Sequence, residues 1–145
     1  MSKRTSIVKA LVEKLNTING SSPYAVNLYS NANAKLKFWD EVDQFPAVYV
    51  TPGSEMREYL PGDFTWAYLG LCVKVYCRGD NSQEELELLL EDVENCIDKN
   101  RVLVYDNIRN LETTEILVQS ITTDEGLLQP YAIGEINLQV RYQLL

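Results

Sequence analysis

Residues 64–100 read FTWAYLGLCVKVYCRGDNSQEELELLLEDVENCIDKN, and this stretch contains the two patterns that decide the fold. From Phe64 to Arg78, apolar and polar side chains alternate, which is typical of a strand with one buried face. The apolar residues that follow recur at helical spacing: Leu86, Leu89, Leu90, Val93 and Ile97. The stretch therefore predicts a long strand followed directly by an amphipathic helix.

The predicted strand is long for a chain of this size. Its fifteen residues span roughly 50 Å at about 3.3 Å per residue, whereas a compact domain of this length is roughly 40 Å across. The strand must therefore bend, with Gly70 as the candidate position, or project at one end. A projecting end suggests contact with something outside the monomer.

The predicted helix is strongly acidic. Ser82 and Glu85 have the spacing of a capping box, and Asn100 is the expected end. Between Asp80 and Asp98 the chain has eight acidic residues and no basic one. Such a block favours a solvated or partner-facing acidic surface, and a catalytic carboxylate pair or a Mg²⁺ site is the less favoured alternative.

A second helix, of opposite charge, is predicted at the start of the chain. Its apolar positions are Ile7, Val8, Leu11, Leu15 and Ile18. Thr5 or Ser6 is the expected cap and Asn19-Gly20 the expected end. The solvent face has Lys3, Arg4, Lys9 and Lys14 against Glu13. The unlike charges of the two helices pair within one copy, or they form a head-to-tail contact between copies that closes a ring.

The rest of the chain predicts further strands. Tyr24–Tyr29 is expected as a short strand, and Ala47–Thr51 as a strand that Pro52-Gly53 stops. Val102–Tyr105 is a short strand or a packed loop. Thr114–Thr122 and Ala132–Leu145 predict an antiparallel hairpin. This order predicts one domain, residues 1–145, of the α+β class: an antiparallel or mixed β-sheet with two main helices packed on one face and a long β-hairpin.

Composition sets limits on function. The 145 residues are 46% hydrophobic and 23% charged, as in ordinary soluble globular proteins. The net charge of −8 repels nucleic acid, because a protein that binds the phosphate backbone requires a basic surface. After Met1 there is no apolar signal core, and no stretch has the length of a membrane span. We therefore expect no membrane contact and assembly in a host cytoplasm.

The residue types needed for catalysis are scarce. The sequence contains no histidine, the commonest general base and metal ligand. It has no phosphate-binding glycine loop, no dinucleotide fingerprint and no Cys-x-x-Cys pair. Cys72 and Cys77 are expected as small buried strand residues. We therefore predict no catalytic residues, no cofactor and no metal, and a chain that is not an enzyme.

Aromatic side chains are the candidate interface anchors. Phe38 and Trp39 lie in the long connection between Tyr29 and Phe45, and connections of that length are often functional. Trp66, near the start of the long strand, is equally compatible with a core position. The complete set of predicted interface residues is Phe38, Trp39, Arg57, Tyr59, Trp66, Lys9, Lys14, Glu87 and Glu91.

The layout of the whole chain resembles a known family. An amphipathic helix comes first, and Phe45-Pro46-Ala47-Val48-Tyr49-Val50 precedes an acidic, proline-containing connection. Gly62-Asp63 and Gly79-Asp80 then flank the long strand, and an acidic helix and a strand hairpin follow. This resembles the tail terminator, or tail completion, proteins of long-tailed bacteriophages, including the lambda-type minor tail protein family. The likeness is one of layout, so it carries over no individual residues.

The resemblance implies a ring of six copies at the head-proximal end of the tail tube. Such a ring stops tube polymerisation and provides the surface that joins the head, and DNA only passes through its lumen. The implied partners are the protein itself, the tail tube protein and a head-completion or neck protein. A head-completion or other connector protein, a tube subunit, a carboxylate- and Mg²⁺-dependent enzyme and a monomeric adaptor remain as alternatives.

Overall fold

The computed structural model describes residues 1–144, in which two helices pack against a β-sheet. The helices are α1 (Lys3–Leu15) and α2 (Ser82–Lys99). The strands are β1 (Ala32–Asn33), β2 (Ala47–Leu60), β3 (Phe64–Arg78), β4 (Val104–Asp106), β5 (Leu111–Glu112), β6 (Glu115–Thr123) and β7 (Tyr131–Leu144). The predicted end of the last strand at Leu145 lies outside the described residues. The α+β class is confirmed.

The main sheet is mixed, with strand order β1-β2-β3-β7-β6. β1 is parallel to β2, and the other neighbours are antiparallel. Both helices cover the same face, and β6 and β7 form the predicted C-terminal hairpin. β2 and β3, of 14 and 15 residues, form a second, longer hairpin. β4 and β5 pair with each other in a small hairpin outside this sheet.

The apolar residues of the strand and helix predicted from residues 64–100 form a large part of the core. The apolar face of β3 is buried, as is the predicted apolar face of α2. Gly134 of β7 lies under α2, where a Cβ atom would be 3.0 Å from Leu90 Cδ2. This glycine therefore permits the close approach of helix and sheet that the burial of Leu90 requires.

The prediction that Pro52-Gly53 stops a strand is wrong. β2 continues to Leu60 through a β-bulge, in which two residues, Gly53 and Ser54, stand opposite Gly70. β1 reaches β2 only at Val48 and Tyr49, so Pro52 lies on an open edge of the sheet. An edge strand tolerates proline because the missing N–H costs no ladder bond there.

The predicted bounds of α1 are also corrected. The helix begins earlier because Ser2, not Thr5 or Ser6, caps it, and the Ser2 hydroxyl accepts from the Thr5 N–H at 3.1 Å. It ends at Leu15 and not at Asn19-Gly20. The Asn16 side chain instead bonds the backbone of Ala32, with distances of 2.8 and 3.2 Å.

Two further local predictions are wrong. The Ser82–Glu85 capping box does not form, because Asn81 is the N-cap of α2 and the Ser82 hydroxyl is buried without a hydrogen-bond partner. Tyr24–Tyr29 is a loop and not a strand. Tertiary contacts replace the ladder bonds of that segment, since a side chain of α2 binds its backbone N–H groups.

Candidate interaction surfaces

The far end of the β2–β3 hairpin is the most exposed part of the main sheet. Met56 and Tyr59 are each 73% exposed, and Leu60 is 41% exposed. The sequence of the three-residue turn suits its backbone, because glycine and aspartate tolerate the positive φ angles of 82° and 59° that Gly62 and Asp63 adopt. The side chains at this end of the long strands are therefore exposed, and the bulge of β2 lies opposite Gly70, the candidate position for a bend in β3.

The base of this hairpin is fixed by a buried carboxylate. The Glu55 side chain is 7% exposed; it accepts a hydrogen bond from the Tyr142 hydroxyl and one from Arg57 Nε at 3.0 Å. Burial and the bond to Glu55 raise the pKa of Tyr142, so the phenol remains a donor. The Arg4 guanidinium of α1 donates to the Gly53 carbonyl. These contacts orient Arg57 at the exposed end.

Trp66 lies on the opposite side of the hairpin, on the sheet face that the helices leave open. Its ring is covered by the Arg141 guanidinium, whose Cζ lies 4.6 Å from the ring centroid. The Phe64 ring meets it edge-on at 4.9 Å. Trp66 is therefore half-buried by its own chain, whereas Arg57 and Tyr59 are exposed.

Phe38 and Trp39 lie at the other end of the sheet. Trp39 is half-buried, with its ring 5.0 Å from that of Tyr131, and it packs on a small apolar cluster that includes Tyr76. The Tyr76 hydroxyl donates to the Lys37 carbonyl at 2.7 Å, which ties the loop to the sheet. Phe38 is 55% exposed. The structure thus separates the predicted aromatic anchors into two distant surfaces.

The charged faces of the helices remain exposed. Lys9 and Lys14 of α1 and Glu87 and Glu91 of α2 all face solvent. Within residues 1–144, no ion pair joins the two helices.

The carboxylates of α2 act on one another. Burial, together with the negative charges of Asp98, Glu91 and Glu87, raises the pKa of Glu94. Burial and the neighbouring negative charges both disfavour the ionised form of Glu94, although Asp98 itself is paired with Arg101 at 3.7 Å.

One buried structural position on α2 was not predicted from the sequence. Asp92, counted among the surface acids, is 3% exposed, and its carboxylate accepts the N–H groups of Ala25 at 3.1 Å and Val26 at 2.8 Å. The available signal was its helical position: Asp92 follows Leu89 by three residues and precedes Cys96 by four, on the apolar face.

The described part of the chain shows few features that could support metal binding or a reactive thiol. Among residues 1–144 there is no cluster of three or more His, Cys, Asp or Glu side chains able to hold a metal ion. Burial and a hydrogen bond to Glu135 raise the pKa of Cys72 to about 11, which disfavours the thiolate. Over the same residues, no helix is long and apolar enough to cross a membrane.

Comparisons with known proteins cover the whole chain. Residues 1–145 match the family model described as Bacteriophage Tail Tube Terminator Protein. The tail tube terminator protein p142 of Escherichia phage T5 is 38% identical in an alignment of 153 positions, which covers 99% of this chain and 95% of the relative.

A chain from the virion of a native gene transfer agent particle superposes with a TM-score of 0.64. It is 9% identical and covers 99% of this chain and 100% of its own, so this likeness concerns the fold alone. Tail tube terminators are structural proteins, which confirms the prediction that the chain is not an enzyme. The chain belongs to the bacteriophage tail tube terminator family.

Proposed function

We propose that the protein ends tail growth as a ring of six copies, each acting as a single domain, on the head-proximal end of the tail tube. The ring binds the last tube subunits, offers them no surface for further addition, and presents a different face to a head-completion or neck protein. The observation that carries the proposal is family membership together with the exposed apolar side chains Met56, Tyr59 and Leu60 at the end of the β2–β3 hairpin.

The hairpin end is the proposed tube-binding surface. Tyr59 on one side of the hairpin and Met56 on the other are large apolar side chains in solvent, and aromatic residues and arginine are enriched at interface centres. Arg57 supplies a charge whose direction Glu55 fixes. Because the base is held by buried contacts, binding orders few additional groups, which favours affinity. Trp66, already half-covered by Arg141, supports this surface from the other side.

The charged helices are the proposed contact between copies. Lys9 and Lys14 of one copy face Glu87 and Glu91 of the next, so each copy uses two different surfaces. Contacts of this heterologous kind generate closed rings when the rotation closes. The formal net charge of −8 suits a lumen through which DNA passes without adhering. Phe38, exposed at the opposite end of the sheet from the hairpin, is the proposed contact toward the neck.

Tube assembly tests the first part of the proposal. Tail tube protein polymerises with and without the terminator, and tube length is measured by electron microscopy. We expect shorter tubes capped at one end, with a capping species of about 100 kDa, six times the 16.6 kDa chain. Tubes of unchanged length would refute the capping role. A protein that binds heads and not tubes would indicate a head-completion protein instead.

Paired variants test the two surfaces. Arg57→Glu with Tyr59→Ala is expected to abolish capping and leave the oligomer mass unchanged, with Leu127→Ala as an exposed control. Lys9→Glu with Lys14→Glu is expected to reduce assembly, and adding Glu87→Lys with Glu91→Lys is expected to restore it. Unchanged assembly in the lysine variant would rule out the charged contact.

A further inference from the structure

A cleft beside the acidic helix has no role in the contacts above. It has a volume of about 400 Å³. Its apolar lining includes Val26, Pro46 and Leu88, and Glu84 and Glu85 line it from α2. Tyr29, 74% exposed, stands at its rim, and Leu88 is 48% exposed. The cleft therefore combines accessible apolar surface with negative charge.

The backbone at the rim is held in an unfavourable conformation. Tyr29 and Ser30 are consecutive non-glycine residues with positive φ angles of 52° and 57°. The Asn27 side chain accepts the Tyr29 N–H at 2.8 Å, and Asp92 holds the preceding residues on α2. Such strain persists only where surrounding contacts enforce it, and it is concentrated at binding sites.

An apolar knob projects from the β4–β5 hairpin. Ile108, at the turn, is 97% exposed. The turn is rigid, because the Asp106 carboxylate accepts the N–H of Ile108 at 3.0 Å and that of Arg109 at 2.9 Å. The N–H and guanidinium of Arg109 lower the pKa of Asp106, so this carboxylate stays ionised as an acceptor. The backbone that presents this branched apolar side chain to solvent is thus held by the Asp106 carboxylate.

The surroundings of the knob are complementary to those of the cleft. β4 packs against α1, and Val104, 42% exposed, shares a depression with Lys9 of the basic helix. In one copy the two surfaces lie apart. The cleft adjoins Pro46, where β2 begins, whereas Tyr105 of β4 contacts Tyr142 toward the opposite end of the sheet, with ring centroids 6.1 Å apart. Knob and cleft can meet only between copies.

We infer that Ile108 of one copy occupies the cleft beside Leu88 of the next copy. The inference rests on the proposed ring and identifies the apolar centre of its subunit contact. Ile108 enters between Leu88 and Tyr29, and α1 of the first copy brings its lysines toward the acidic rim. The apolar pair supplies affinity, while the surrounding charges determine orientation and exclude an inverted pairing.

Disulfide trapping tests the inference. A chain with both Ile108→Cys and Leu88→Cys is oxidised, free and on tube ends, and examined on a denaturing gel. We expect a ladder of linked copies up to six. A mixture of the two single variants is expected to stop at dimers, and each single variant alone to stay monomeric. Ile108→Cys with Leu127→Cys, which places the second thiol on an exposed residue that does not line the cleft, is the matched control.

A second measurement separates this inference from the proposed function. Ile108→Asp is expected to raise the concentration at half-assembly by about tenfold or more, with unchanged circular dichroism and with Leu127→Asp as control. The inference is overturned if rings still form while the disulfide ladder is absent and Ile108→Asp assembles normally. The proposed ring stands in that case. A chain that stays monomeric both free and on tube ends overturns both.

Discussion

Replacing Asp92 by alanine is the sharpest test of how the structure is held together. The carboxylate is buried and binds two backbone N–H groups, those of Ala25 and Val26. Hydrogen bonds to a charged group contribute roughly 1.5–3 kcal/mol each, and an unpaired buried donor costs about as much. Ala25 is exposed, so water replaces its partner, but Val26 is buried. We therefore expect a loss of about 3 kcal/mol in the free energy of unfolding.

The matched control is Glu91→Ala, one residue earlier on the same helix and exposed. Both substitutions remove one negative charge from α2 and introduce the best helix former, so these effects cancel in the comparison. The control is expected to change stability by no more than about 0.5 kcal/mol. Urea unfolding followed by circular dichroism measures both. If the two variants unfold within about 1 kcal/mol of each other, the carboxylate does not anchor the loop and this reasoning is refuted.

Three further predictions concern the sheet and its ends. Gly134→Val is expected to cost about 1–3 kcal/mol in urea unfolding, because the added carbons meet Leu90; an unchanged midpoint would show that α2 moves freely. Burial alone would raise the pKa of Asp124, but hydrogen bonds from backbone N–H groups lower it below its usual value. The stability that Asp124 contributes is therefore fully present above the pKa of the unfolded chain and is lost as the pH falls through the lower pKa of the folded protein. Asp124→Asn is expected to weaken the dependence of the thermal midpoint on pH below about pH 4. Trp39→Ala is expected to cost about 2 kcal/mol through lost packing on Tyr131, and full stability with lost head binding would assign Trp39 to the interface alone.

The sequence predicts best where local periodicity and burial agree. β3 has the predicted bounds, Phe64 to Arg78, and α2 ends at Lys99 with Asn100 as its cap, as expected. In both elements most positions of one face are apolar, so the pattern identifies the buried side even though Asp92 lies on that face of α2. The charge contrast between the helices was equally visible, because it depends on composition and not on contacts.

Other elements depend on partners that are distant in sequence. β2 continues past Pro52 because β3 lies beside it, and 24–29 remains a loop because Asp92, 66 residues beyond Val26, binds its backbone. The cleft and the knob were missed for a similar reason. Ile108 is a single apolar residue in an irregular segment, and no period reveals that its side chain is exposed.

The bulge opposite Gly70 has a consequence for the chemistry of the hairpin end. Side chains along a strand point alternately to the two faces of the sheet, and the extra residue at 53–54 moves this alternation by one position. Arg57 and Tyr59 consequently lie on the same side as Ala67 and Thr65, their partners in β3. Without the bulge, the same residues would continue the regular ladder and Arg57 would stand opposite Trp66, on the open face of the sheet. The bulge therefore decides which face of the hairpin end carries Arg57 and Tyr59.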